Sequence, residues 1–278
     1  MTTATKDQPK TNGRFGLSSI TQGGVQLPPR TLLYGTDGIG KTTFWSEAED
    51  AIFVPTEDGA TRLDVPQFPL CTAWDDETYN QPSVLGALRT LFAGDHKYKT
   101  VVLDSADWAQ PLAAAHVVAT EFNNDQAQYD AYGRGYKSLM RTWTVLLSAL
   151  DHLRKHRGMA VALIAHAVVR PFHNPIGDDY DRYESNLIST QNTSLWAKTK
   201  EWCDIVLFAN YAVTVKDADG PAGQAKKGKG VMHKGDGSRM CYASPAAAWD
   251  AKVRAGWSLP EKFPLDYATF QKHIREGA

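Results

Sequence analysis

Cysteine is scarce. Cys71, Cys203 and Cys241 are the only three in 278 residues. They are odd in number, widely scattered, and no pair has metal-ligand spacing. That argues against a disulfide framework and a cysteine metal site, and the thiols read as reduced groups in a cytoplasmic protein. Long apolar runs are also missing. No stretch reaches 18 apolar residues, so no membrane span is expected. The opening segment "MTTATKDQPKTNGR" has no apolar h-region, so secretion is not expected either. Net charge is almost nil: 30 Lys and Arg against 31 Asp and Glu give −1. No global field recruits nucleic acid or an acidic membrane, and any such contact must come from a local basic patch.

What is present is an ordinary globular composition, 42% hydrophobic and 22% charged. Residues 1–14 are polar and aperiodic and read as a disordered tail; residues 15–278 suit a single domain. "RTLLYG" is a short apolar run ending in glycine, as a parallel strand would. "KTTFWSEAED" follows as a helix, then "AIFVPT" as a second strand. Val84, Leu88, Leu91 and Phe92 have helical spacing. "KTVVLDS" and "MAVALIAH" read as further strands. Between them, residues 132–156 place Leu139, Trp143, Leu146, Leu150 and Leu153 on one stripe of a long amphipathic helix. Strands alternating with helices imply a mostly parallel sheet covered on both faces. Beyond it, residues 171–200 show no period. "CDIVLFANYAVTV" reads as one long strand, and "GSRMCYA" as its partner across a Gly- and Lys-rich loop.

Chemistry enters at "GTDGIGKTT", which fits G-x-x-x-x-G-K-[ST]. Gly35, Thr36, Asp37, Gly38, Ile39, Gly40, Lys41, Thr42 and Thr43 form the phosphate-binding candidate. The glycines let successive backbone N–H groups face phosphate oxygens, with the helix N-terminus adding a favourable dipole. Lys41 reaches the terminal phosphates, and the Thr42 hydroxyl ligates Mg²⁺. The apolar strand "TVVLD" ends in Asp104, 63 residues after Lys41, the second metal-site candidate. The next residue is Ser105, where many ATP-hydrolysing motors carry their water-activating glutamate. Glu57, at the end of "AIFVPTE", takes over as the candidate general base. His166 ends the strand "ALIAH", where a polar group would stand near the γ-phosphate. Lys226, Lys227, Lys229, Lys234 and Arg239 in "KKGKGVMHKGDGSR" read either as a basic hairpin for phosphates or as a solubilising loop.

These pieces, in order, resemble the RecA superfamily of P-loop ATPases. The chain looks similar to the phage core-only recombinases of the Sak type, also described as phage AAA-type ATP-binding proteins. The likeness covers about residues 28–270. It rests on "LPPRTLLYGTDGIGKTT", "IFVPTEDGATRLD", "VVLDSADW", "YGRGYKSLMRTW", "LIAHAVVRPFHNPIGDDYDRY", "WCDIVLF" and "WDAKVRAGWSLPEKFPLD". The resemblance implies an α/β, RecA-like P-loop NTPase core with a mostly parallel sheet, helices on both faces and a C-terminal antiparallel extension. It implies catalysis by Glu57, metal coordination through Thr42 and Asp104, and a γ-phosphate sensor at His166, where RecA itself has a glutamine. It further implies that Lys252 and Arg254 reach a neighbouring subunit's ATP as arginine fingers do.

The loop after the sensor, Val168 to about Leu195, would face DNA. Arg170, Phe172, Tyr180, Arg182 and Tyr183 suit single strands, which need stacking and phosphate pairing. Asp178, Asp179, Asp181 and Glu184 share the stretch, so a solvated mixed-charge loop is the competing reading. The expected function is ATP- and Mg²⁺-dependent annealing or strand exchange on single-stranded DNA. The expected assembly is a homo-oligomeric ring or filament, with a single-strand-binding protein as a further candidate partner. Two alternatives remain: a nucleotide-gated DNA-binding or loader switch without recombinase activity, and a small-molecule P-loop kinase. The kinase is weakened because the segment before His166 is one long helix rather than an Arg-rich lid.

Overall fold

The computed structural model describes residues 20, 27–59, 63–78, 80–190, 193–215, 230–232 and 237–276. The expected tail at residues 1–14 and the lysines at 226, 227, 229 and 234 lie outside them. The chain alternates strands and helices: β1 (Arg30–Gly35), α1 (Lys41–Ser46), β2 (Ala51–Pro55), α2 (Val84–Ala93), β3 (Thr100–Asp104) and α3 (Ala106–Glu121). Then come α4 (Gln126–Asp130), α5 (Arg134–Arg157), β4 (Ala160–Phe172), β5 (Tyr180–Ser185), α6 (Leu195–Trp202) and β6 (Ile205–Tyr211). The rest comprises β7 (Val213–Val215), β8 (Gly230–Met232), β9 (Arg239–Tyr242), β10 (Lys252–Val253), β11 (Lys262–Pro264) and α7 (Tyr267–Glu276).

The main sheet runs β11-β9-β6-β1-β4-β3-β2. Five consecutive strands, β6-β1-β4-β3-β2, are parallel. β9, β10 and β11 add antiparallel pairings on the β6 side. This is the expected α/β class, a mostly parallel sheet with a C-terminal antiparallel extension. Side chains on a strand alternate between faces, and the core follows that rule. Leu32 and Tyr34 of β1 join one cluster with Leu88, Trp143 and Leu150 from α2 and α5. Leu33, between them, joins the other cluster with Phe44 and Phe270 from α1 and α7. Every strand of the parallel core is therefore apolar on both faces, which is why these segments read as near-continuous runs rather than alternating ones.

The stripe on α5 is buried as expected: Leu139, Trp143, Leu146, Leu150 and Leu153 are all at 1% exposure or less. Trp143 stacks on Trp74 and donates its indole N–H to Thr199 Oγ1 at 2.9 Å. Among the described residues no helix is long and apolar enough to cross a membrane.

Several local expectations are corrected. The helix expected over 41–50 ends at Ser46. Phe92, counted on the apolar stripe of α2, is 45% exposed, because Leu88 and Leu91 already fill the face toward α5. The single strand expected over 203–215 is two, β6 and β7, separated at Ala212, whose N–H turns to the Ser238 carbonyl. Its pairing with "GSRMCYA" is observed, Phe208 opposite Tyr242 through Tyr211 opposite Arg239. Residues 168–195, read as a loop, are instead largely a β-hairpin, with β4 continuing to Phe172 and pairing antiparallel with β5. Aromatic and charged residues alternate there on a ribbon outside the core, which hides the apolar signal of a strand.

A candidate nucleotide site at the carboxyl ends of the strands

The loop from Gly35 to Gly40 links β1 to α1. Its three glycines do different work. Gly38 has φ 68° and Gly40 φ 103°, conformations that favour glycine. Gly35 instead allows close strand approach: a Cβ there would stand 2.3 Å from the Ala209 carbonyl oxygen on β6. Replacing Gly35 by alanine must push β1 and β6 apart, and we expect about 1–3 kcal/mol of lost stability, read from the denaturant midpoint. A midpoint unchanged from the parent would refute the close-packing role.

Lys41 is 6% exposed, and its ammonium donates to the Gly35 and Thr36 carbonyls, both at 3.0 Å. Burial lowers its pKa, while Asp37, Asp107, Glu57 and Asp104 act in the opposite sense. Asp37 and Gly38 are exposed, Ile39 is fully buried beneath the loop, and Thr43 is exposed on α1. Thr36 faces Asn210 at the end of β6, 3.5 Å between the side-chain oxygens.

Thr42 and Asp104 meet. The Thr42 hydroxyl donates to Asp104 Oδ2 at 2.9 Å. Burial is the main influence on Asp104 and pushes its carboxyl up to about 6. A hydroxyl and a carboxylate are hard oxygen donors, and Mg²⁺ is commonly held by one or two such groups plus phosphate oxygens and water. Among the described residues no group of three or more His, Cys, Asp or Glu could hold a metal ion. The Thr42–Asp104 pair fits a Mg²⁺ completed by oxygens from outside the chain.

Glu57 stands beside this pair because β2 and β3 are stitched together at their ends. Pro55 lies opposite Asp104 in register. Thr56 N–H donates to the Asp104 carbonyl at 2.7 Å, and the Thr56 hydroxyl donates to the Ser105 carbonyl at 2.6 Å. The Ser105 N–H donates back to Thr56 Oγ1 at 2.9 Å, across a cis Asp104–Ser105 peptide bond. Glu57 is the next residue, 21% exposed at its side chain, with Oε1 3.8 Å from His166 Nε2.

His166 sits within β4, rather than at its end, and is ringed by carboxylates. Asp107, buried in the first turn of α3, takes its backbone N–H at 3.1 Å and pairs with Nδ1 at 2.9 Å. On the other side Nε2 lies 3.8 Å from Glu57 and 3.9 Å from Asp37. The Asp107 hydrogen bond raises the His166 pKa above its ordinary 6.5, outweighing burial. Burial works to raise Asp107, but its bonds to His166 carry it below its ordinary 3.8.

The sign follows from linkage. The histidine's contribution to stability is fully present below 6.5 and fades as pH rises through its folded value; the aspartate's fades as pH falls below 3.8. We therefore expect Asp107→Asn to cost about 1–3 kcal/mol between those limits and progressively less at alkaline pH. Urea unfolding of both proteins across the range reads this out; a gap that widens above pH 6.5 would sink it.

Asp107 and Thr56 escaped the sequence reading. A small-to-medium polar residue just beyond a strand end resembles any loop cap, and only the three-dimensional pairing reveals the partner. Arg239 was seen as part of a basic loop. In fact it opens β9 and donates to the Ile39 carbonyl at 3.2 Å, its guanidinium lying 2.5 Å from where a Gly40 Cβ would be. Lys252 and Arg254 are not brought to this site within the chain. They lie at the opposite edge of the sheet, where Lys252 donates to the Lys200 and Glu201 carbonyls and Arg254 to the Glu201 carbonyl, closing the end of α6. Arg170 is held by Glu184 and the Leu187 carbonyl. Arg182 lies over the Phe172 ring and 3.9 Å from Asp250.

A phosphate-type loop, a hydroxyl–carboxylate pair and a carboxylate poised on the adjoining strand converge at one edge of a parallel sheet. A model of the AAA domain family matches residues 27–255. The chain belongs to the AAA domain family. No curated protein matches this AAA domain in sequence. Among solved structures it is similar to the crystal structure of the RadB recombinase, at 15% identity over 78% of this chain and 81% of that one, with a TM-score of 0.39.

Proposed function

We propose that this P-loop AAA domain binds and hydrolyses ATP and couples that cycle to single-stranded DNA in phage-type recombination, by annealing or strand exchange. The observation that supports hydrolysis most is the Thr42–Asp104 bond of 2.9 Å with Glu57 held on the neighbouring strand end. Lys41 and the loop amides hold the phosphates. Exchanging two carbonyls for phosphate oxygens brings the buried ammonium a full counter-charge. Thr42 and Asp104 would hold Mg²⁺, which when bound supplies charge neutralisation at the phosphates. Glu57 accepts the proton of the attacking water, and His166, held in place by Asp107, answers the γ-phosphate.

The β4–β5 hairpin is the proposed DNA-facing element, with Arg170, Phe172, Tyr180, Arg182 and Tyr183. Lys252 and Arg254 are proposed to serve the ATP of a neighbouring copy in a cytoplasmic ring or filament, where a single-strand-binding protein is a candidate partner. The deciding experiment is ATP turnover with and without single-stranded DNA at stated salt. DNA stimulation is expected; unchanged slow turnover with tight ATP binding would remove the recombinase reading.

That outcome would instead favour a nucleotide-gated binding or loader switch. One feature supports it: the hairpin's basic side chains are engaged within the chain, Arg170 by Glu184, Arg182 near Asp250 and His173 by Asp179 at 2.8 Å. Those pairs would have to open before the hairpin met phosphates.

A further inference from the structure

The groups proposed to serve the terminal phosphate all stand on one side of β1. Asp104 closes β3, Glu57 follows β2 and His166 lies in β4. In the other direction the sheet continues through β6, β9 and β11, and a second cluster of side chains reaches the same rim there. β6 ends at Asn210 and Tyr211, and Arg239 opens β9 directly opposite Tyr211. Leu265, just past β11, donates its N–H to the Arg239 carbonyl at 2.8 Å.

Arg239 and Leu265 flank the phosphate loop at Gly40. A Cβ there would stand 2.5 Å from Arg239 Nη1 and 4.0 Å from Leu265 Cδ2, so both side chains lie against bare loop backbone. Arg239 is exposed, and among the described residues its guanidinium bonds only the Ile39 carbonyl, at 3.2 Å. No described carboxylate pairs with it. Asp266, the nearest in sequence to Leu265, gives its carboxylate to the Thr269 N–H and hydroxyl at 2.8 and 2.7 Å. Asn210 has its amide oxygen on the Tyr211 N–H at 2.8 Å, which leaves its NH₂ for an outside acceptor. The bond to Ile39 uses the edge of the guanidinium and leaves its planar faces uncommitted. Such a plane stacks on aromatic rings. An arginine plane beside an apolar side chain matches a flat, uncharged ring better than a phosphate.

We propose that Arg239 is the base-contacting residue of the nucleotide site, its guanidinium stacked on the base. Leu265 lines the same flank, and the Asn210 amide faces the ribose hydroxyls. The inference rests on the ATP reading of the phosphate loop. A triphosphate with its γ end beside Glu57 sends its nucleoside across β1 toward β6 and β9. The Ile39 bond holds the guanidinium plane against the loop before the base arrives, so little side-chain ordering remains to be done on binding.

The test is calorimetric titration of the full chain with ATP, GTP and inorganic tripolyphosphate, each with Mg²⁺, for the parent, Arg239→Ala and Arg239→Lys. Lysine keeps the charge and a donor for Ile39 but has no plane, and it carries the test if alanine disturbs β9. Both variants should bind ATP about tenfold more weakly. GTP should lose as much, because stacking tolerates either base. Tripolyphosphate, which has no base, should bind all three proteins alike, and it reports an intact loop in each. Equal losses for ATP and tripolyphosphate would make Arg239 a brace or a phosphate ligand and overturn the inference, as would full rescue by lysine. ATP affinity unchanged in both variants would overturn it while leaving the ATP reading in place. A parent that binds neither ATP nor tripolyphosphate would remove both readings together.

Discussion

Glu57→Gln should lower ATP turnover by about 10²–10⁴-fold while leaving ATP affinity within a few-fold of the parent. The amide keeps the shape of the side chain but cannot take a proton from water. The two buried carboxylates of the site are otherwise engaged. Asp104 is occupied by Thr42, and Asp107 is committed twice to His166. Ser105 follows Asp104 directly, so no second carboxylate extends from that strand end. The measurement is single-turnover hydrolysis beside equilibrium binding of a fluorescent ATP analogue. Near-parent turnover with binding retained would transfer the base to another group. Loss of both together would point to a collapsed loop rather than to chemistry.

The largest stability effect should come from Asp204, just ahead of β6. Its side chain is 4% exposed and gathers three arginines. Arg30 contributes its backbone N–H at 3.1 Å and two guanidinium bonds at 3.1 and 2.7 Å. Arg154 approaches to 3.3 Å and Arg254 to 3.4 Å. Burial tends to raise the Asp204 pKa, but the Arg30 bonds dominate the sum and hold it below its ordinary value. Removing the carboxylate leaves Arg154, and Arg30 with only Asp151 at 3.3 Å, under-compensated in a poorly solvated place, which costs about 3–5 kcal/mol. Set against a total stability of about 5–15 kcal/mol, Asp204→Ala should shift the denaturant midpoint drastically or prevent folding. Asp204→Asn should be milder, since the amide oxygen still accepts from the Arg30 N–H. A loss under about 1 kcal/mol for the alanine variant would show that water already screens the cluster.

Much of the fold was legible because its core strands are apolar on both faces and its long helix keeps a clean stripe. The elements that escaped have physical reasons. The β4–β5 hairpin leaves the core and has no apolar face to display. α3 carries a small-residue face, Ala106, Ala109 and Ala113, with Pro111 inside it, a weak helical signature that packs well nonetheless. At the site, Lys41, Thr42, Asp104 and Glu57 could be read because each closes or follows a recognisable strand. Asp107 could not, since its partner lies 59 residues away on another strand. Arg239 arrives over the loop only through the antiparallel pairing of β9 with β6. Lys252 and Arg254 were legible as a basic pair, but the carbonyls that engage them belong to the end of α6.

β4 deserves a mechanical reading. It runs unbroken from Ala160 to Phe172, with His166 along its length. The six residues beyond His166 are each paired across to β5, from Ala167 with Ser185 to Phe172 with Tyr180. At about 3.3 Å per residue, the far end of the strand stands roughly 20 Å from the histidine. A paired ribbon resists bending along its length far better than a single chain does. The hairpin is therefore a stiff batten rather than a tether, moored to the body where the Tyr183 N–H donates to the Ala248 carbonyl at 2.8 Å and the Asn186 N–H to the His166 carbonyl at 2.8 Å, so the histidine and the hairpin are one mechanical piece.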